Sequence, residues 1–175
     1  MRKFIALILL AAIILPSFIT GFAGEREYTI HHDVLNCDCH YTAKELAYGL
    51  KYELVDDAKD YIAAQEKYGI CPIYNAAKDA LESGWGRYAV NNNLGGVNTD
   101  KVFSSHAEFI DWWSAFQLEH YLLQDGKYHT GGTTVADINK RYNGAEFWEE
   151  NVSLIMQQIA ADIEANKPKT VVVEF

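Results

Sequence analysis

Apolar positions along most of the chain recur at helical spacing, but the first two dozen residues follow another pattern. Met1-Arg2-Lys3 precedes an unbroken apolar run from Phe4 to Leu15, followed by Pro16, Ser17 and small residues up to Gly24. This is the three-part pattern of a secretory signal peptide over residues 1–23, with Gly21-Phe22-Ala23 as a small-x-small cleavage site. A retained anchor is the rival, because a spanning helix needs only about 20 apolar residues; Pro16 and the small residues after it favour cleavage. Residues 24–41 show no sustained period and read as an N-terminal arm, with Tyr28-Thr29-Ile30 as a short strand. Thr42-Ala43-Lys44-Glu45 then matches a capping box, and Leu46, Leu50 and Leu54 recur every four residues, so a helix begins there. A second, over 55–68, presents Ala58, Ile62 and Gln65 on one face and ends at Gly69. A third opens at Pro72, which is tolerated in a first turn, and stops at Gly84, which suits a left-handed cap.

From Asn91 to Phe103 the chain is at its least helical, and the Gly95-Gly96 pair among asparagines signals tight turns or close backbone approach. This predicts a small β-region. Helix returns over 105–123 with an apolar stripe of Phe109, Trp112, Trp113, Phe116 and Leu123. A Gly/Thr-rich loop over 124–134 leads to two last helices, 135–142 and 145–165, the latter with Ile155, Ile159 and Ile163 on one face. In the C-terminal tail, 167–175, the β-branched stretch 170–175 reads as a strand that pairs with the arm. The expected architecture is mainly α (α+β), with one helical domain over 42–166.

Composition narrows the function. A chain of 175 residues that is 49% hydrophobic and 13% aromatic supports one packed core. Its net charge is −9, and removal of residues 1–23 takes away Arg2 and Lys3 and no acid, leaving −11. So acidic a protein is not suited to nucleic acid or an anionic membrane surface. Cys37, Cys39 and Cys71 allow one disulfide with one thiol left over, and a bridge from Cys37 or Cys39 to Cys71 is expected. Cys37, Asp38, Cys39 and His40, with His31 and His32 upstream, are metal-ligating types, but four ligands at a regular spacing are not present. Neither metal nor cofactor is expected.

The chemistry concentrates in A-L-E-S-G-W-G, Ala80 to Gly86. Glu82 falls in the last turn of its helix, where the negative end of the dipole disfavours a carboxylate and Trp85 can desolvate it. A carboxylic acid that keeps its proton is what a general acid needs. Position alone equally suits a solvated surface glutamate. The wider run Y-G-I-C-P-I-Y-N-A-A-K-D-A-L-E-S-G-W-G-R-Y-A-V-N-N-N-L-G-G-V from Tyr68, and R-Y-N-G-A-E-F-W-E-E-N-V from Arg141, shift the balance. Together they resemble, in the same order, the glucosaminidase family (mannosyl-glycoprotein endo-β-N-acetylglucosaminidase-like) of the lysozyme-like superfamily, over roughly Leu54 to Ile163.

That resemblance implies a lysozyme-like helical domain with the small β-region beside a cleft. It implies cleavage of a β-1,4 bond in peptidoglycan or a related N-acetylated glycan, in the cell envelope or outside it, by a monomer. Glu82 becomes the proton donor, and Tyr142, matching the family's tyrosine before the final helix, the polar group that steadies an oxocarbenium charge. Trp85, Asn92, Asn93, Gly95 and Gly96 would bind sugar, and Ser83 is assigned to structure. A second carboxylate should stand about 5 Å away for retention or about 6.5–9.5 Å for inversion. Asp100 is the only one in the β-region, with Glu108 and Asp111 on the next helix. One-acid routes also stay open: attack by the substrate's N-acetyl group, or by a sugar hydroxyl as in lytic transglycosylases. A muramidase, or a lysozyme-like module that binds glycan without cutting it, is the further alternative. A protease is not supported, since no G-x-S-x-G occurs.

Overall fold

The computed structural model describes residues 28–168. The signal segment and the tail strand expected at 170–175 lie outside them. The helices are α1 (Ala43–Ala47), α2 (Ala58–Tyr68), α3 (Pro72–Ser83), α4 (His106–Gln117), α5 (Val135–Tyr142) and α6 (Trp148–Asn166). A 3₁₀ turn at Tyr52–Val55 precedes α2, and a π-helical turn at Leu118–Leu122 extends α4.

Helix α3 runs through the middle of the domain. Every residue of it except Leu81 and Glu82 is buried. Pro72 occupies its first turn, where a missing N–H is harmless, and Gly84 ends it at φ +60°. The first capping box is realised at Thr42, and a second forms at Thr134, whose side chain accepts from Asp137 N while Asp137 reaches back. The stripe on α6 comprises Val152, Met156, Ile159 and Ile163, all fully buried. At about 1.5–3 kcal/mol for each such side chain, this apolar face is the main force holding α6 to α3.

Helix α1 is shorter than the leucine spacing suggests. It ends at Ala47, just ahead of Gly49, where a Cβ would collide with the Ile159 carbonyl and come within 2.8 Å of Ile163 Cγ1. Close approach to α6 therefore takes precedence over helix continuation, and Leu50 and Leu54 are buried from a loop and a 3₁₀ turn. Leu123, placed in the α4 stripe by periodicity, is 45% exposed. The wider π turn rotates it off the face that Phe109 and Trp113 bury.

The arm packs into the core through Tyr28, Val34 and Cys39. Instead of a strand over Tyr28–Ile30, a looped segment is stitched between the starts of α3 and α5. Val34 N donates to Thr133 O, Ala136 N to Ile30 O and Cys71 N to Val34 O at 2.7–3.0 Å, with an isolated antiparallel bridge between Asp33 and Thr134. The expected bridge to Cys71 is corrected: the disulfide joins Cys37 and Cys39, with Cα atoms 5.2 Å apart. Closing so short a loop costs little chain entropy. Cys71 stands beside the bridge, its Sγ 3.4 Å from that of Cys39.

Candidate active site

The end of α3 is shaped by local hydrogen bonds. Ser83 Oγ donates to Asp79 O at 2.6 Å and accepts from Gly86 N at 2.8 Å, a structural role as expected. Gly84 and Trp85 both take positive φ, so the chain reverses immediately after Glu82. Glu82 is half-buried, and its Oε1 accepts a 2.8 Å hydrogen bond from Trp148 Nε1. Its other oxygen faces Gly96, where a Cβ would lie 4.0 Å from Oε2.

Tyr142 comes from the last turn of α5 and closes the opposite side. Its hydroxyl donates to Gly95 O at 3.2 Å, and its ring lies 4.9 Å from that of Trp148. Burial, and then the nearby charge of Glu82, push the phenol far above its ordinary range, so it stays protonated. The turn between α5 and α6 is clamped by Asn139, which receives Gly144 N at 3.0 Å and donates to Ala145 O and Glu149. That clamp sets Tyr142 and Trp148 in place together.

The small β-region expected over 91–103 contains one isolated antiparallel bridge, Val90 with Asn93. Asn91, Asn92 and Gly96 at positive φ turn the chain too sharply for a longer ladder. Asn92 donates to Phe103 O at 2.8 Å, and Asn93 brackets the next turn by donating to Val97 O and accepting from Val97 N. Both amides are thus engaged in holding the loop. Gly95 lies over the ring of Phe109 and near Lys78 Nζ, and Gly96 follows it to the rim. Trp85 packs partly into the core with Lys51 Nζ 5.3 Å from its ring centroid, so one face is already covered.

Among the described residues, no hydrogen bond joins Asp100, Glu108 or Asp111, the carboxylates considered as a second group, to Glu82. Asp100 is exposed and makes no hydrogen bond or ion pair among the described residues. Glu108 accepts from Ser104 and pairs with Lys101 at 3.1 Å, which holds its carboxyl down to about 2. Asp111 is bound to Lys67 and Tyr68.

Two features escaped the sequence reading. Lys78, one helical turn before Glu82, is completely buried and paired with Asp79, which also accepts from Tyr61 at 3.0 Å. Burial raises Asp79 most, against the pull of Lys78. In sequence the K-D pair looks like an ordinary exposed stretch of helix; only the burial of α3 on all sides reveals it. Tyr88 is the other, 72% exposed with its ring over Gly84. Arg87 lies between it and exposed Tyr52, 4.0 Å from the Tyr52 ring. An aromatic three residues after Trp85 was the available signal.

The fold has a counterpart among solved structures. A Glu-to-Ala catalytic mutant of S. aureus autolysin E in complex with the disaccharide NAG-NAM superposes with a TM-score of 0.59, at 15% identity, covering 79% of this chain and 77% of that one. This chain has the autolysin fold. The same autolysin in complex with the muropeptide NAM-L-Ala-D-iGlu gives a TM-score of 0.58 at 15% identity, over 76% of this chain and 74% of that one. No protein-family model matches the chain, and no curated protein does. In this autolysin fold, a helical domain carries a partly open carboxylate at the end of its most buried helix.

Proposed function

We propose that this chain is an exported peptidoglycan hydrolase of the endo-β-N-acetylglucosaminidase type, with Glu82 as general acid. One observation carries the reading. On a helix otherwise buried but for Leu81, Glu82 reaches the surface with Oε1 fixed by Trp148 and Oε2 turned toward Gly96. An acid held by one oxygen presents the other, with its proton, in a defined direction. The autolysin of like fold holds NAG-NAM and a muropeptide, which makes an N-acetylated β-1,4-linked glycan the substrate class to test first.

Glu108 and Asp111 are each engaged by a lysine, which favours a one-acid route. Glu82 protonates the leaving glycosidic oxygen while the substrate's own N-acetyl oxygen attacks C1. The Glu82 carboxylate then takes a proton from the water that opens the cyclic intermediate. Tyr142, whose hydroxyl donates to Gly95 O, is assigned the oxygen dipole that steadies positive charge at the sugar ring. Export rests on the signal pattern of residues 1–23, and no helix of the described residues is long and apolar enough to cross a membrane.

Replacing Glu82 by Gln should abolish release of soluble fragments from purified peptidoglycan while leaving the circular dichroism spectrum unchanged. Near-normal release would overturn the assignment. Mass spectrometry of wild-type products should show reducing-end GlcNAc. Reducing-end MurNAc would instead make the enzyme a muramidase, and anhydroMurNAc a transglycosylase.

A further inference from the structure

At the opposite end of α3 from Glu82, four soft ligands converge. His32, Cys37, Cys39 and Cys71 each offer one donor atom, and these atoms all lie within 4.8 Å of one another. Cys39 and Cys71 are fully buried, and their sulfurs are 3.4 Å apart. With Zn–S near 2.3 Å, the sulfurs of a tetrahedral site stand about 3.8 Å from each other, so the cluster has the right size.

His32 is the telling member. Its Nε2 is buried with no hydrogen-bond partner among the described residues, an expensive state for a polar atom. Its ring is held 4.9 Å from that of Tyr28, and its backbone is fixed by N–H donation to Thr29 O and acceptance from Val135 N. The nearby His40 is not part of the cluster; it is exposed and lies 3.5 Å from exposed Asp38.

We propose that His32, Cys37, Cys39 and Cys71 form a structural zinc site when the three cysteines are reduced. Zinc binding and the Cys37–Cys39 disulfide are then alternative states of one cluster. A dithiol breaks the S–S bond, giving two thiols and leaving as its own disulfide. Zinc next displaces the three thiol protons to solvent and takes the neutral imidazole through Nε2. Three thiolates on Zn²⁺ leave one net negative charge. The first turn of α3, where Cys71 is the N-cap, and the Tyr28 hydroxyl, which donates to Cys39 Sγ at 3.6 Å, are placed to offset it. Backbone support is complete, since Gln65 Nε2 donates to Cys39 O at 2.9 Å and Cys71 N to Val34 O at 2.7 Å. The ion would pin residues 32–39 to the start of the helix that carries Glu82.

The test uses the full chain, reduced with an excess of dithiol and then desalted anaerobically. Addition of Co²⁺ should produce the thiolate-to-cobalt charge-transfer absorption and the strong visible bands of a tetrahedral site, saturating at one ion per chain. One equivalent of Zn²⁺ should bleach them and raise the melting temperature. The oxidised protein should show neither band. His32→Ala, at a half-buried position, should weaken Co²⁺ binding at least tenfold with the helical spectrum retained; Cys71→Ser should do the same, and His40→Ala should have no effect. Absence of tetrahedral bands in the reduced protein, equal binding by oxidised protein, or wild-type binding by His32→Ala would overturn the proposal.

Discussion

Trp148→Phe isolates one interaction of the proposed mechanism. It removes the indole N–H that reaches Glu82 Oε1 at 2.8 Å and keeps an aromatic ring against Tyr142. Glu82 takes on negative charge as it gives up its proton in the transition state, and a hydrogen bond to a charged group contributes about 1.5–3 kcal/mol. At about 1.36 kcal/mol per tenfold in rate, its loss predicts a fall in kcat of about 10- to 150-fold. The fall belongs in kcat and not KM, because the bond orients the acid and does not touch sugar. The assay is the initial rate of reducing-end release from a soluble glycan fragment over a range of concentrations. Urea unfolding checks the fold, since Trp148 is only 4% exposed and a smaller ring leaves some space. Combining the change with Glu82→Gln should cost no more than Glu82→Gln alone, as both remove one unit of function. A kcat within twofold of wild type, in a protein that is still folded, would refute the orienting role.

Three further outcomes follow from the packing. Lys78→Met should destabilise the fold by about 3–5 kcal/mol in urea, because Asp79 is left buried without its cation, and adding Asp79→Asn should restore much of that loss. Gly49→Ala should lower the melting temperature by several degrees, on an overpacking cost of about 1–3 kcal/mol, because the new methyl meets Ile159 and Ile163. The third concerns pH. His106 is raised above its ordinary value chiefly by its 2.7 Å bond to Asp57, so the fold favours the charged imidazole. That contribution is complete below about pH 6.5 and is lost as pH rises through the higher folded value. The melting temperature of wild type should therefore exceed that of His106→Gln most in mild acid, with a gap that narrows toward alkaline pH; a gap that widens would contradict the assignment.

The residues that were legible in the sequence are those whose structure is decided by near neighbours. Pro72 and Gly84 bound α3, Gly69 ends α2 at φ +73°, and Thr42 with Glu45 starts α1, each by chemistry within four residues. The early end of α1 was hidden because its cause, the carbonyl of Ile159, lies over a hundred residues away. The site divides along the same line. Glu82 was marked by its helix end, and Tyr142 by the motif before α6. Trp148 stood in that motif without a role, because its hydrogen bond spans 66 positions. The cysteine pairing failed for the converse reason: spacing alone gave no ground for expecting Cys37 to bridge so near a neighbour, and His32 joins the cluster only because its segment is stitched against α5.

The polar side chains of α3 explain how a carboxylate at its end can be aimed. Asn75 donates to Ser114 and accepts from Gln117, which also receives the Tyr74 hydroxyl, so one side is fixed to α4. Asp79 accepts from Tyr61 and fixes another side to α2, and Ser83 holds the terminal turn. Each such bond contributes only about 1 kcal/mol net, but leaving its buried partners unpaired costs about 1–3 kcal/mol apiece. Sliding α3 by one residue, or turning it about its axis, would break all of them at once. Apolar burial against α6 supplies most of the affinity and tolerates small displacements; the buried polar pairs do not. They therefore set the register of the helix, and with it the direction in which Glu82 leaves the core to meet Trp148 on one oxygen and Gly96 across from the other.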